Sequence, residues 1–135
     1  MATSALCDDL AYSLATGIGV TNLTVTGGTI SLTVGTDLLV ASLEIVIVTG
    51  GGLSTLATIL GGTDGQVKVL IFQDNNVDMT DGLKAGGAFY LNHMPALTDF
   101  TPAVDDVLVL VNIGGDGGLT THGYWKEVYR TISVK

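Results

Sequence analysis

Glycine clusters cut this chain into pieces too short for long helices. Gly27-Gly28, Gly50-Gly51-Gly52, Gly61-Gly62 with Gly65, and Gly114-Gly115 with Gly117-Gly118 punctuate its 135 residues. Between them Thr, Val, Ile and Leu dominate, while Glu occurs only twice. Glycine favours turns over element interiors, and β-branched side chains suit a pleated sheet. The expected product is a set of short strands separated by tight turns.

The individual segments agree. Residues 20–26 alternate in part and end at Gly27-Gly28, a hairpin-like break. Residues 29–34 place Ile30, Leu32 and Val34 on one face. Residues 43–48 read as a buried strand, residues 53–60 as a short strand or a helical turn, and residues 66–72 as a clear strand. A weaker strand follows around residues 77–80, with others at 88–92, 107–113 and 124–134. Residues 93–105 hold both prolines and read as a loop, and residues 114–118 as a flexible turn. Eight to ten strands with turns every ~8–12 residues predict an all-β single domain: an antiparallel β-sandwich, jelly-roll-like.

Residues 1–19 break the pattern and separate as an N-terminal arm from a β domain over residues 20–135. Leu6, Leu10 and Leu14 are spaced by four, with Tyr12 between them. The segment reads equally as a short helix with one apolar stripe or as an arm that orders on a partner.

Composition matters at this point. Hydrophobic residues make up 47% of the chain and charged residues 13%, against about 25% charge in an ordinary domain. A membrane helix is not the explanation, because the longest apolar run, residues 38–48, is eleven residues broken by Ser42 and Glu44. A span needs ~20. Residues 1–14 lack a positive segment, so no secretory signal is read. The net charge is −8, and no Lys or Arg precedes Lys68. That excludes the basic stripe a nucleic-acid-binding domain uses.

Two strands locate the apolar surplus. In residues 107–113, Val107, Val109 and Val111 share one face, while Leu108 and Leu110 share the other. In residues 43–48, Leu43, Ile45 and Ile47 oppose Val46 and Val48, with Glu44 the exception. A half-exposed strand alternates apolar with polar, so a strand apolar on both faces is buried on both. In so small a domain the second burial is a subunit contact or a covering loop. Leu43, Ile45, Ile47, Val107, Val109 and Val111 are therefore the expected oligomer interface.

No chemistry-bearing constellation emerges. Residues 74–79 (Asp-Asn-Asn-Val-Asp-Met) offer oxygen ligands at alternate positions, but Met79 and Ala85 stand where a calcium loop needs Gly and Glu. A polar turn is the better reading. Asp105 and Asp106 are adjacent, so strand geometry points them to opposite faces. His93 and His122 lack metal-spaced partners, and Cys7 is the single cysteine. There is no Gly-x-Ser-x-Gly elbow, and the glycine-rich residues 49–55 have no Walker spacing. No catalytic, cofactor or metal site is expected.

The stretch from Gly65 onward has a recognisable order. It runs Gly65-Gln66 and strand, a polar loop from Asp74 to Val77, Ala88-Phe89-Tyr90-Leu91, Phe100-Thr101-Pro102, then Asp106 and strand. It closes with Trp125-Lys126-Glu127-Val128-Tyr129-Arg130. Residues 65–131 in this order resemble the trimeric β-sandwich modules of tailed-phage virion proteins. Those modules occur as capsid decoration proteins and as heads or tips of fibres. The resemblance implies a homotrimer on the virion capsid surface, bound to the major capsid protein. The arm residues Leu6, Leu10, Tyr12 and Leu14 are the expected capsid contact. A chain of this length without a repetitive shaft favours decoration. The other reading is a receptor- or glycan-binding tip that stacks sugars on Tyr90, Tyr124 or Trp125. Within the closing strand, alternation places Trp125, Glu127 and Tyr129 on one face and Lys126, Val128 and Arg130 on the other. A Glu127–Arg130 pair would then require a bulge or a second strand.

Overall fold

The computed structural model describes residues 18–92 and 99–131. These hold nine strands: β1 (Ile18–Val25), β2 (Gly28–Thr33), β3 (Leu43–Gly50), β4 (Ser54–Leu60), β5 (Val67–Phe72), β6 (Val77–Met79), β7 (Phe89–Tyr90), β8 (Val107–Ile113) and β9 (Tyr124–Arg130). The described residues are mostly β, with no helix among them. The strands form a large sheet ordered β1-β3-β5-β8-β9-β7 and a small sheet ordered β2-β4-β6. Strand structure already starts at Ile18, inside the segment read as an arm. Of residues 53–60, Ser54–Leu60 form strand rather than helical turn.

The pairing departs from the antiparallel order expected of a jelly roll. Five of the seven ladders are parallel, and only β5–β8 and β8–β9 are antiparallel. The cause lies at Gly27-Gly28. Instead of folding β2 back against β1, this break sends the chain into the other sheet. Each strand then waits one full circuit for its partner. Ile18 pairs with Leu43 and Leu43 with Val67. In the small sheet, Gly28 pairs with Ser54 and Ser54 with Val77. Parallel neighbours need a crossover connection. Here the crossover is itself a strand of the opposite sheet, which makes β1–β6 three stacked coils.

One core lies between the sheets. Val46, Val48, Leu70, Phe72, Leu108 and Leu110 face it from the large sheet, and Leu32, Leu56, Ile59, Val77 and Met79 from the small one. Each such side chain contributes about 1.5–3 kcal/mol relative to exposure. Phe72 and Phe100 meet edge to face at 5.9 Å. Trp125 is fully buried, and its indole N–H donates to the Ile59 carbonyl at 2.9 Å.

The residue 114–118 turn, read as flexible, is built into one end of this core. Gly115 is buried, and its N–H donates to Asn112 Oδ1 at 2.9 Å. A Cβ on Gly115 would lie 2.1 Å from the Gly62 carbonyl oxygen, and one on Gly62 would lie 2.3 Å from Asn112 Nδ2. Glycine is needed at Gly115 because the Gly62 backbone touches it, and at Gly62 because the Asn112 amide and the Trp125 ring fill the space of a side chain.

β9 contains the bulge that its sequence made conditional. Val109 pairs with Tyr129, but Leu110 pairs with Glu127, so Val128 is the extra residue. The insertion reverses the side-chain parity beyond it. Tyr129 therefore joins Lys126 on the outer face, contrary to simple alternation. Arg130 turns inward and pairs with Glu127, with Nε at 2.8 Å and Nη2 at 2.5 Å from Oε1. Its guanidinium lies 4.3 Å from the Phe100 ring centroid.

Candidate assembly interface

The registers bring all six expected interface residues onto one surface. Leu43, Ile45 and Ile47 of β3 and Val107, Val109 and Val111 of β8 all point out of the large sheet, away from the core. β5 lies between them and adds Val67, Val69 and Ile71, which the sequence argument had not singled out. Three rows cross the sheet. One runs Ile18, Leu43, Val67, Val111, Lys126; the next Val20, Ile45, Val69, Val109, Tyr129; the third Asn22, Ile47, Ile71, Val107. The nine positions on β3, β5 and β8 are all aliphatic and all half-buried. A plane of branched side chains with no charge among them is an unusual solvent-facing sheet surface.

The polar residues of these strands point inward instead. Glu44 and Lys68 are register partners on β3 and β5. They pair at 2.6 Å with both side chains fully buried. Glu44 also accepts from the Thr21 hydroxyl at 2.5 Å and the Leu39 N–H at 2.9 Å. Lys68 Nζ donates to the Leu39 carbonyl at 2.7 Å. The pair is thereby hydrogen-bonded on both sides, the condition under which a buried pair is tolerated. The strands are thus polarised against the usual rule at this end, with charges inside and aliphatics outside. The signal was present in the sequence: Glu44 and Lys68 interrupt the same face of two otherwise apolar strands.

The two lateral edges of the large sheet carry further apolar exposure. On β1, Val20 is 61% exposed and Ile18 is also exposed; on β9, Tyr129 is 58% exposed beside exposed Val128. Among the described residues no strand pairs with the outer edge of β1, while β7 covers β9 only at Trp125 and Lys126.

The other candidates are absorbed into local structure. Asp74 accepts from the Gly50 N–H at 2.8 Å and the Asn76 N–H at 3.0 Å, as a polar turn requires. Asp106 is buried and accepts from the Ala103 N–H at 2.8 Å, whereas Asp105 is exposed in a left-handed backbone conformation, φ 70°. His122 Nδ1 accepts from the Gly61 N–H at 2.9 Å. Asp116 is half-buried, and its carboxyl is pulled down to about 2 from an ordinary 3.8. The Thr120 hydroxyl bond is the largest cause, followed by the Thr121, Thr120 and Leu119 N–H groups. Among the described residues no cluster of three His, Cys, Asp or Glu is placed to hold a metal. No described helix is long and apolar enough to cross a membrane.

Of the aromatics proposed to stack sugars, Trp125 is sealed in the core and unavailable. Tyr90 and Tyr124 are half-buried and meet edge to face at 6.0 Å. Lys84 and Lys126 both lie over the Tyr90 ring, at 4.7 and 5.1 Å from its centroid. Leu6, Leu10, Tyr12, Leu14, Cys7 and His93 lie outside the described residues. No family model, curated protein or solved structure matches this chain.

Proposed function

We propose that this protein is a non-enzymatic virion structural protein, a capsid decoration protein that assembles as a homotrimer. The observation that carries the reading is the aliphatic outer face of the large sheet. Its footprint across five strands is roughly 500 Å², from strand spacing and rise. That is at the upper end of what an ordinary monomer leaves open to water. Burying it in an oligomer removes the cost, and the two sheets then act as a β-sandwich module with one face inside the assembly. The tying-up of His122, Asp74 and Asp106 in structural hydrogen bonds supports a role without catalysis. The order of residues 65–131, similar to virion modules, supports the placement on a capsid. There a trimer that binds the major capsid lattice, but not free subunits, stabilises the shell by mass action.

The test has two parts. Light scattering should give three times 13.8 kDa. Shells mixed with the trimer should retain it, and deleting residues 2–17, which include Leu6, Leu10, Tyr12 and Leu14, should abolish retention while leaving the trimer. A monomer, or a truncated protein that still binds shells, would overturn the corresponding half.

The tyrosine–lysine cluster at Tyr90 favours the tip reading as the second. Two cations held at one aromatic ring suit an acidic saccharide. Copy number per particle separates the two, hundreds for decoration and a handful for a tip.

A further inference from the structure

The exposed apolar residues of the large sheet concentrate at its two opposite edges, and one row joins them. Val20 sits at one end of that row and Tyr129 at the other, with Ile45, Val69 and Val109 between. Both edges have backbone left unpaired by the described residues: all of β1's outer side, and β9 beyond the point where Asn92 Nδ2 donates to the Glu127 carbonyl. An edge strand with free N–H and C=O groups is a template for another strand.

We propose that the occupant of each edge is the opposite edge of a second copy, so that β1 of one subunit, from Val20 onward, lies beside the part of β9 in the next that β7 and Asn92 leave open, from Tyr129 onward. The inference rests on the trimer reading and specifies how the ring closes. Strand direction permits it. β1 is parallel to β3 and β5, and two antiparallel steps through β8 make β9 parallel to β1. Rotation about an axis along the strands keeps all directions, so β1 and the neighbouring β9 run parallel. Val20 and Tyr129 then meet at the same height because they share a row.

Size favours three copies. At the level of Val20 and Tyr129, past the two residues of β9 that β7 covers, five strands plus the new pairing make a side of about 24 Å at ~4.8 Å per strand. Three such sides set the axis about 7 Å from each sheet, close to the ~5 Å that one layer of side chains fills when sheets pack ~10 Å apart. Four sides would set it about 12 Å away and leave a channel. A three-sided closure thus buries the aliphatic face together with Val20 and Tyr129 at its two sides.

The experiment is a disulfide between copies. In a Cys7→Ser background, Val20→Cys with Tyr129→Cys places two Cβ atoms on adjacent edge strands, within reach of a disulfide. After oxidation, denaturing electrophoresis should show covalent species up to trimer and none larger. Val20→Cys alone and Tyr129→Cys alone should stay monomeric on the gel. Scattering on the same sample reports the trimer itself. A trimer whose double variant does not cross-link overturns edge closure and leaves the trimer reading standing. Cross-linking of Val20→Cys alone also overturns it, since like would then meet like. A monomer by scattering overturns both. Should the variants misfold, hydrogen exchange on the unmutated protein gives a second measurement. The β1 amides that do not bond to β3 should be protected, and exchange at open-chain rates would refute the pairing.

Discussion

The two sheets share a core but present opposite outer faces. Outside β3, β5 and β8 the large sheet is Leu, Ile and Val. The small sheet shows Thr29, Thr55 and Asp78 in one row and exposed Ser31 in the next. Both are built from the same β-branched stock, and the difference is a hydroxyl or carboxylate in place of a methyl. One face is finished for water. The other is aliphatic, the face proposed to meet a second copy.

The sharpest way to break this contrast is a charge on each face. Val69→Asp, at the centre of the large sheet, should lower trimer affinity on the order of 100-fold or more, because the carboxylate would be buried without a partner. Ser31→Asp, at an exposed position of the small sheet, should leave the mass by scattering unchanged and alter stability by only ~0.5 kcal/mol, as surface changes do. Equal effects would show the two faces to be equivalent.

The inward charges sharpen the comparison next. Lys68→Met alone leaves Glu44 buried and unpaired, at an expected cost of about 3–5 kcal/mol in urea unfolding. Lys68→Met with Glu44→Leu should recover most of that loss. A single variant as stable as the parent would mean the pair is not buried in solution. Gly62→Ala tests the close-packed end of the core. Its Cβ meets Asn112 Nδ2 at 2.3 Å and Trp125 at 2.8 Å, and overpacking of this kind costs about 1–3 kcal/mol. The mildest effect belongs to Asp116. A carboxyl lowered to about 2 in the fold, from 3.8, favours the folded loop above about pH 4. That contribution disappears as the pH falls toward 2. Thr120 and Thr121 amide protection should fade over that window while the strands persist.

Strand positions were legible because their signals are local. Residues 107–113 and 43–48 emerge as β8 and most of β3, and the apolar outer positions of both follow from alternation alone. Their sharing of one surface was not legible, since β5 had to be placed between them. The parallel order was hidden for a similar reason. Gly27-Gly28 looks the same whether the chain turns back within a sheet or crosses to another one. What decides is the partner a circuit away, and no local signal reports it. The Val128 bulge was legible only as a condition, because the Glu127–Arg130 pair demands it but the residues around it do not announce it.

The buried Glu44–Lys68 pair has a consequence for how the coils find their alignment. Runs of Val, Ile and Leu are nearly interchangeable, and sliding β3 by two residues against β5 would keep every aliphatic on its proper face. That slide would set Glu44 against Leu70 or Gln66 and Lys68 against Val46 or Ser42, stranding two charges in the core. A ladder that apolar packing alone leaves degenerate is thereby reduced to one reading. The pair works as a checksum on the winding, correct only when the first and last digits agree.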